Sequence, residues 1–233
     1  MSNDKTKYAA DSIKLLNAGD AVRGRSSMYI GDIHDGSGLH QMIYEVVDNA
    51  MEEAFIGYVD LLTVTLNGDG SCTITDNGRA IPTDIDAGQG VSKAEIIMTQ
   101  MHAGRRPDYN IQTDGIDESA GRWHGLNFNV INALSAYLKL SIKSAGKIHE
   151  MTFTNGVADA PLAVVGDAGD ETGITIRFLP SAEVFTKVDF DFDRLKRHLR
   201  ELALLNCGVH ILLEDYRYVD PRTEEFYFPK SKI

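Results

Sequence analysis

The most regular hydrophobic pattern in the chain lies between residues 38 and 57. Apolar residues recur there at intervals of three and four, which predicts an amphipathic helix that ends at Gly57. At ~100° per residue, the apolar and polar side chains fall on opposite arcs of this helix. The apolar arc consists of Leu39, Ile43, Val46, Val47, Ala50 and Ala54. The polar arc consists of Glu45, Asp48, Asn49 and Glu52.

The polar arc of this helix is made of carboxylates and one amide. No lysine or arginine occurs between Arg25 and Arg79 to balance these acceptors. Such a set of oxygen acceptors is typical of a site that holds a cation or an activated water. A solvated acidic face is the simpler interpretation, and the pattern alone favours it. The helix is nevertheless a candidate wall of an active site.

Helical and strand-like patterns alternate along the rest of the chain. Two strands are predicted at 61–66 and 71–75, joined by a turn of sequence Asn67-Gly68-Asp69-Gly70 that strongly indicates a hairpin. Residues 103–124 are polar and without periodicity, which indicates a functional or disordered loop. Further helices are predicted at 91–102, 127–135 and 190–206, and further strands at 138–143, 147–154, 162–165, 172–179, 209–214 and 225–228. This arrangement predicts a mixed α/β sandwich with one dominant core.

Composition and charge narrow the function. The 233 residues are 43% hydrophobic and 24% charged, which is ordinary for a globular protein with a sizeable core. A net charge of −11 argues against broad electrostatic binding of DNA by this surface. The sequence contains neither a long apolar run nor a hydrophobic leader, so we expect no membrane association. Cys72 and Cys207 lie in apolar segments and are expected to be buried free thiols in a cytoplasmic protein.

Two further motifs carry candidate chemistry. Asp76-Asn77-Gly78-Arg79 follows the second predicted strand, where a carboxylate can accept a hydrogen bond from a buried ligand amine, although Asp-Asn-Gly is also common in plain turns. The segment Gly121-Arg122-Trp123-His124-Gly125-Leu126-Asn127 closes the long loop and opens a helix. Glycines there let backbone N–H groups approach an anion at the positive end of the helix. His124 is a candidate acid or base, but a loop histidine more often serves packing.

Taken in order, these motifs resemble the GHKL ATPase family: an acidic and amide-bearing helix, a strand with an Asp-Asn-Gly turn, a glycine-containing loop, and Thr172-Gly173 before a strand. Within the family, the chain is most similar to the ATPase domains of the B subunits of bacterial type IIA topoisomerases. The likeness covers nearly the whole chain but does not separate gyrase from topoisomerase IV. Other segments that carry it are Met28–Gly31, Gly38–His40, Glu45–Ala50, Gly90–Ser92, His102–Gly104, Asn132–Ser135, Ala160–Val164 and Arg200–Leu202.

The resemblance implies a fold and a function. The implied fold is the Bergerat ATP-binding fold, an α+β two-layer sandwich in which helices cover one face of a mixed, mostly antiparallel sheet. A flexible arm at residues 1–15 is expected to precede a single ATPase domain at residues 16–233, without the family's transducer, cleavage and tail domains. The implied function is ATP binding and hydrolysis, coupled through dimer closure to DNA strand passage and supercoiling. The alternative is a paralogue that binds nucleotide as a regulatory module without turnover.

The resemblance also implies partners. DNA and the A subunit of the topoisomerase are expected to be reached through the absent domains, and a second copy of the same protein is expected to join on ATP binding. The chain alone is expected to be largely monomeric and to hydrolyse ATP poorly.

Individual residues receive roles from the resemblance. Glu45 corresponds to the general base that activates the attacking water, Asn49 to the ligand of Mg²⁺, and Asp76 to the carboxylate that accepts from the adenine amine. Glu52 is placed to support the waters of the ion. The other residues implied in ATP binding are Tyr8 of the arm, Glu53, Arg79 and Pro82 at the adenine rim, Arg106 for the phosphates, Thr172, and the loop residues Gly121, Arg122, Trp123, His124, Gly125, Leu126 and Asn127. Glu53 is expected to pair with Arg79.

The chain departs from the family pattern at several positions. Ala80 replaces a glycine at the adenine rim, Arg105-Arg106-Pro107 stands where the family has Gly-Lys-Phe, and Gly24-Arg25-Ser26-Ser27 replaces a basic segment. In the loop, Arg122 and Asn127 replace glycines and Trp123 replaces a leucine. If those positions need a positive φ, each replacement costs ~1 kcal/mol or more of strain. Outside the adenine pocket, Ser144 replaces an arginine and Ile174 a threonine, at positions where the family contacts aminocoumarin inhibitors. We therefore expect a nucleotide-binding protein that tolerates aminocoumarins.

Overall fold

The computed structural model describes residues 18–101, 103 and 128–230. The predicted arm and most of the predicted loop lie outside these residues. So do the predicted site residues Tyr8, Arg106, Gly121, Arg122, Trp123, His124, Gly125, Leu126 and Asn127.

The described strands form one nine-stranded sheet. They are β1 (Leu61–Leu66), β2 (Cys72–Asp76), β3 (Ser135–Ser144), β4 (Lys147–Thr154), β5 (Val157–Ala158), β6 (Ala163–Asp167), β7 (Gly173–Pro180), β8 (His210–Asp215) and β9 (Arg222–Phe226). Their order is β5-β4-β3-β7-β2-β1-β8-β9, and β6 pairs with the same edge of β4 as β5. Among the described pairings, β1 with β8 is parallel and the others are antiparallel. The predicted mixed, mostly antiparallel sheet is confirmed.

The helices of the described residues pack against one face of this sheet. They are α1 (Ala18–Arg23), α2 (Ser26–Ile30), α3 (Ser37–Phe55), α4 (Lys93–Thr99), α5 (Phe128–Ala133) and α6 (Phe192–Leu205). In β1, Leu62 and Val64 are buried under the helices, whereas Thr63 and Thr65 are half-buried on the opposite face. One continuous apolar core therefore lies between the helices and the sheet, as expected for the two-layer sandwich.

Side-chain caps explain where two helices begin. The hydroxyl of Ser92 accepts a hydrogen bond from the backbone N–H of Glu95, and the carboxylate of Asp191 accepts one from the N–H of Arg194. The predicted helix at 91–102 is therefore wrong at both ends, because Ser92 caps α4 and Gln100 already has extended backbone. The segment Ser92-Lys93-Ala94-Glu95 is a capping-box sequence that marks this start.

Several other predicted boundaries shift, and one burial prediction is wrong. The strand predicted at 138–143 begins at Ser135, directly after α5, and the last strand lies at Arg222–Phe226 instead of 225–228. Cys72 is buried as expected, but Cys207 is half-buried because it lies in the short connection after α6. The short elements α1, α2 and β5 lacked a detectable period.

No helix among the described residues combines the length and the apolar character needed to cross a membrane.

Candidate functional site

Helix α3 presents a row of polar side chains at four-residue spacing, formed by Gln41, Glu45 and Asn49. The amide of Gln41 donates a hydrogen bond from Nε2 to Oε1 of Glu45 at 2.8 Å. This contact orients the carboxylate along the helix surface. Asn49 is only 6% exposed, whereas Glu52 and Asp48 are exposed. The predicted polar arc is thus partly buried, and Glu45 and Asn49 share one face as expected.

Gln41 was missed by the sequence reasoning. Its signal was the four-residue spacing to Glu45, which allows side chains to meet on a helix surface. That signal is weak because Gln–Glu pairs at this spacing are common on ordinary helices.

The next turn of α3 carries a charge pair. Glu53 is 6% exposed, and its carboxylate accepts two hydrogen bonds from Arg79, from Nε at 2.9 Å and from Nη2 at 2.8 Å. The guanidinium of Arg79 also lies over the ring of Tyr58, 4.0 Å from its centroid. The predicted pair of Glu53 with Arg79 is confirmed. It joins α3 to the turn that follows β2.

Asp76 lies at the carboxyl end of β2 and is 8% exposed. Its Oδ1 accepts a hydrogen bond from the backbone N–H of Gly78 at 2.9 Å, and the backbone N–H of Ile174 also bonds the carboxylate. Burial, together with a smaller contribution from the nearby charge of Glu53, raises the pKa of Asp76 to about 6, and these two hydrogen bonds oppose the increase. The Asp76 side chain is therefore mostly ionised at neutral pH, and it takes up a proton when the pH falls to about 6.

A glycine makes the approach of β7 to Asp76 possible. Gly173 has φ +133°, and a Cβ at this position would lie 2.1 Å from the carbonyl oxygen of Asp76. No side chain fits in that space, so the Thr172-Gly173 sequence allows β7 to pack against the end of β2. The next residue, Ile174, then places its backbone N–H at the Asp76 carboxylate.

The turn after Asp76 is held by its own side chains. Asn77 accepts hydrogen bonds at Oδ1 from the backbone N–H groups of Asp60 and Leu61, both at 3.1 Å. It donates from Nδ2 to the carboxylate of Asp60 at 2.6 Å. This Asp-Asn-Gly segment is therefore more than a plain turn, because it fixes the start of β1 and the position of Asp76 together.

The remaining predicted rim residues lie around this strand end. Thr172 is exposed and precedes Gly173, and Pro82 is half-buried after the buried Ile81. Ser144 ends β3 one residue after Lys143, which is paired with Gly173. Ile174 is 3% exposed with its side chain in the core. The structure thus brings Glu53, Asp76, Arg79 and the Thr172–Ile174 segment together by direct contacts, and it places Ser144 beside them.

Metal ligands are sparse in this region. Among the residues that the structure describes, no group of three or more histidine, cysteine, aspartate or glutamate side chains is arranged to hold a metal ion.

A mixed sheet with a helix bearing a carboxylate and an amide, and a buried carboxylate at the adjoining strand end, defines an ATPase domain of the GHKL class. The chain belongs to the family of histidine kinase-, DNA gyrase B-, and HSP90-like ATPases, whose sequence model matches residues 34–181. This membership confirms the resemblance and the fold expected from it.

Similar curated proteins are B subunits of DNA gyrase. The one from Rickettsia conorii is 51% identical over 225 residues, which make up 97% of this chain and 27% of that protein. The one from Caulobacter vibrioides is 48% identical over 232 residues, covering 95% of this chain and 28% of the relative. That of Borreliella burgdorferi is 39% identical over 221 residues, covering 95% and 34%. The chain spans about a quarter to a third of the length of these relatives.

Proposed function

We propose that this chain binds and hydrolyses ATP as the nucleotide-binding part of a type II DNA topoisomerase similar to the gyrase relatives. The observation that carries the proposal is the buried Asp76 carboxylate. It lies beside the Glu53–Arg79 pair, near the C-terminal end of the helix that also carries Glu45 and Asn49. The named relatives are gyrase proteins, which favours gyrase over topoisomerase IV.

Asp76 suits the adenine base of ATP. An ionised, buried carboxylate accepts hydrogen bonds and cannot donate them, so it selects the exocyclic amine of adenine over a carbonyl group at the same position. The two backbone N–H groups that already bond the carboxylate fix its orientation before the base arrives. The Arg79 guanidinium, held by Glu53 and Tyr58, forms a rigid planar rim beside it.

Glu45 is the proposed general base. One oxygen accepts from Gln41, and this bond holds the carboxylate in a fixed orientation on α3. A fixed carboxylate orients a water for attack on the terminal phosphate and accepts its proton as the new bond forms. The hydrogen bond from Gln41 restricts the orientations that the Glu45 carboxylate adopts before the reaction.

Asn49 is the proposed protein ligand for Mg²⁺. A single buried amide fits this ion, which takes most of its ligands from phosphate oxygens and water. When bound, the ion neutralises charge on the phosphates. Glu52, exposed one turn beyond, is placed to hydrogen-bond the waters of the ion.

ATP hydrolysis by the chain tests this proposal. We expect slow but measurable hydrolysis that Glu45→Ala abolishes and that Gln41→Leu reduces about tenfold, because loss of one positioning hydrogen bond costs ~1 kcal/mol or slightly more. ATP binding, measured by calorimetry, should survive in both variants. Size-exclusion chromatography of the same samples should show a monomer.

Two outcomes would contradict parts of the proposal. Equal hydrolysis by the wild type and Glu45→Ala, with binding intact, would favour the alternative of a nucleotide-binding regulatory module. Absence of ATP binding would overturn both.

In a longer protein that contains this domain, the proposed partners are DNA, the topoisomerase's A subunit, and a second copy of the same protein. A cytoplasmic location follows from that role.

We also propose that the site tolerates aminocoumarins. Ser144 is too short to replace an arginine. The apolar side chain of Ile174 lies in the core, whereas a threonine at this position would present a hydroxyl group toward Asp76. Loss of one charge-assisted contact and one hydrogen bond should weaken novobiocin by a few kcal/mol, or about 100-fold. Calorimetry should show that Ser144→Arg combined with Ile174→Thr restores binding. Tight binding to the unaltered chain would refute this.

A further inference from the structure

Helix α3 has a second polar row beside the one that faces the nucleotide site. It consists of His40, Tyr44 and Asp48, again spaced by four residues. These side chains meet α6 and its N-cap: His40 bonds Asp191, and the ring of Tyr44 lies 3.9 Å from the ring of His198. The contact between α3 and α6 therefore contains two histidines, one toward each end.

His40 is bonded at both ring nitrogens and is 3% exposed. Nδ1 lies 2.7 Å from the carbonyl oxygen of Gly36, and the backbone N–H of Asp191 donates to Nε2 at 2.8 Å. Because a carbonyl only accepts, Nδ1 must carry a hydrogen. Because a backbone N–H only donates, Nε2 must keep its lone pair. Only the neutral ring with its hydrogen on Nδ1 satisfies both bonds.

The surroundings of His40 also favour the neutral ring. Burial lowers the pKa of His40 and the charge of Arg194 lowers it further, whereas the Gly36 carbonyl and Asp191 oppose this. A second proton would replace the lone pair on Nε2 with an N–H that faces another N–H. The link between α3 and the start of α6 would then be lost.

His198 is the second neutral histidine of this contact. Its Nε2 is buried and has no hydrogen-bond partner among the described residues. Burial lowers the pKa of His198, although the carboxylates of Asp48 on α3 and Glu201 on α6 favour the charged ring. A proton on Nε2 would place an unbonded, charged N–H in a buried position.

We propose that the contact between α3 and α6 is a proton-sensitive joint, in which proton uptake by His40 or His198 loosens α6 from the helix that carries Glu45 and Asn49. The folded chain binds fewer protons at these rings than the unfolded chain. The stability that they contribute is therefore complete above pH 6.5 and is lost as the pH falls below that value.

The test needs no nucleotide, so its result is independent of the proposed ATPase activity. In chemical denaturation at pH 7.5 and 5.5, each histidine should contribute a rise of the unfolding equilibrium constant on acidification of up to about tenfold per pH unit. Asp76, whose pKa is raised to about 6, lowers the same constant on acidification, so the contribution of the histidines is the difference between the wild type and a matched variant that keeps Asp76. The matched variant combines His40→Gln, which keeps an acceptor for Asp191, with His198→Phe, which keeps the ring against Tyr44. On acidification, the unfolding equilibrium constant of this variant should rise clearly less than that of the wild type, or fall, and an equal change in both proteins would overturn the proposal.

Nitrogen-detected NMR of the wild-type chain gives an answer even if the variant fails to fold. We expect His40 to remain neutral, with its hydrogen on Nδ1, well below pH 6.5. A His40 ring that carries its hydrogen on Nε2, or that titrates at 6.5 or higher, would overturn the proposal.

Discussion

At the scale of single residues, two neighbouring buried carboxylates of the site, Glu53 and Asp76, have different hydrogen-bond partners. Glu53 is paired with a guanidinium, whereas Asp76 is bonded by backbone N–H groups and lies close to the charge of Glu53. Both are almost fully buried. Burial without a cation raises the pKa of Asp76 to about 6, so this one side chain connects ligand binding, stability and pH.

The pKa of Asp76 predicts how ATP affinity depends on pH. If the ionised form accepts from adenine, affinity should be constant above about pH 6 and fall up to tenfold per pH unit below it. Asp76→Asn should weaken ATP binding at pH 7.5 by roughly 10- to 100-fold, because a charge-assisted hydrogen bond is lost. The same variant should no longer lose ATP affinity as the pH falls through about 6. Calorimetric titrations between pH 5 and 8 would check this, and a variant that keeps the change would contradict it.

The same substitution should stabilise the unliganded chain. A raised pKa contributes stability that is complete below pH 3.8 and is lost as the pH rises through about 6. At neutral pH the ionised side chain therefore costs up to about 3 kcal/mol. Asp76→Asn should raise the melting temperature at pH 7.5 while it weakens ATP binding, and the two effects together separate a binding role from a structural one.

At the scale of elements, periodicity predicted the long helices and most strands, and local side-chain bonds decided where they end. Helix α3 was predicted within two residues at each end because its apolar stripe spans several turns. The ends of α4 depended on the hydroxyl of Ser92 and the extended backbone of Gln100, which periodicity does not register. The helical period of α3 also predicted that Glu45 and Asn49 share one face. Periodicity did not predict the approach of Ile174 to Asp76, because that approach depends on the pairing between β2 and β7.

The hairpin between β3 and β4 offers a test of element stability. Its two central residues, Ala145 and Gly146, have φ of 50° and 74°, a combination that favours Asn-Gly. An alanine with positive φ is strained by roughly 1 kcal/mol. Ala145→Asn should therefore raise the melting temperature by about 2–4 °C. Ala160→Asn, at an exposed alanine without positive φ, is the control, and equal shifts in both variants would argue against relief of strain.

At the scale of the whole molecule, the sheet is joined through a pairing that the order of elements did not predict. Hairpins predict the pairs β1–β2, β3–β4 and β8–β9, because each joins neighbouring segments. Nothing local indicates that β8 lies parallel to β1, with His210 opposite Leu61. The fold class was therefore predictable from the sequence, while the arrangement of its hairpins came from the family resemblance and from the structure.

The parallel pairing of β1 with β8 also has a consequence during synthesis. The two strands are 149 residues apart, and at typical rates of elongation β8 is made roughly 7–30 s after β1. Until then, one edge of β1 has unpaired backbone groups beside the apolar side chains Leu62, Val64 and Leu66. A nascent chain of this protein therefore carries an open sheet edge until β8 has been made, and that edge is available for pairing with a chaperone or with a second nascent chain.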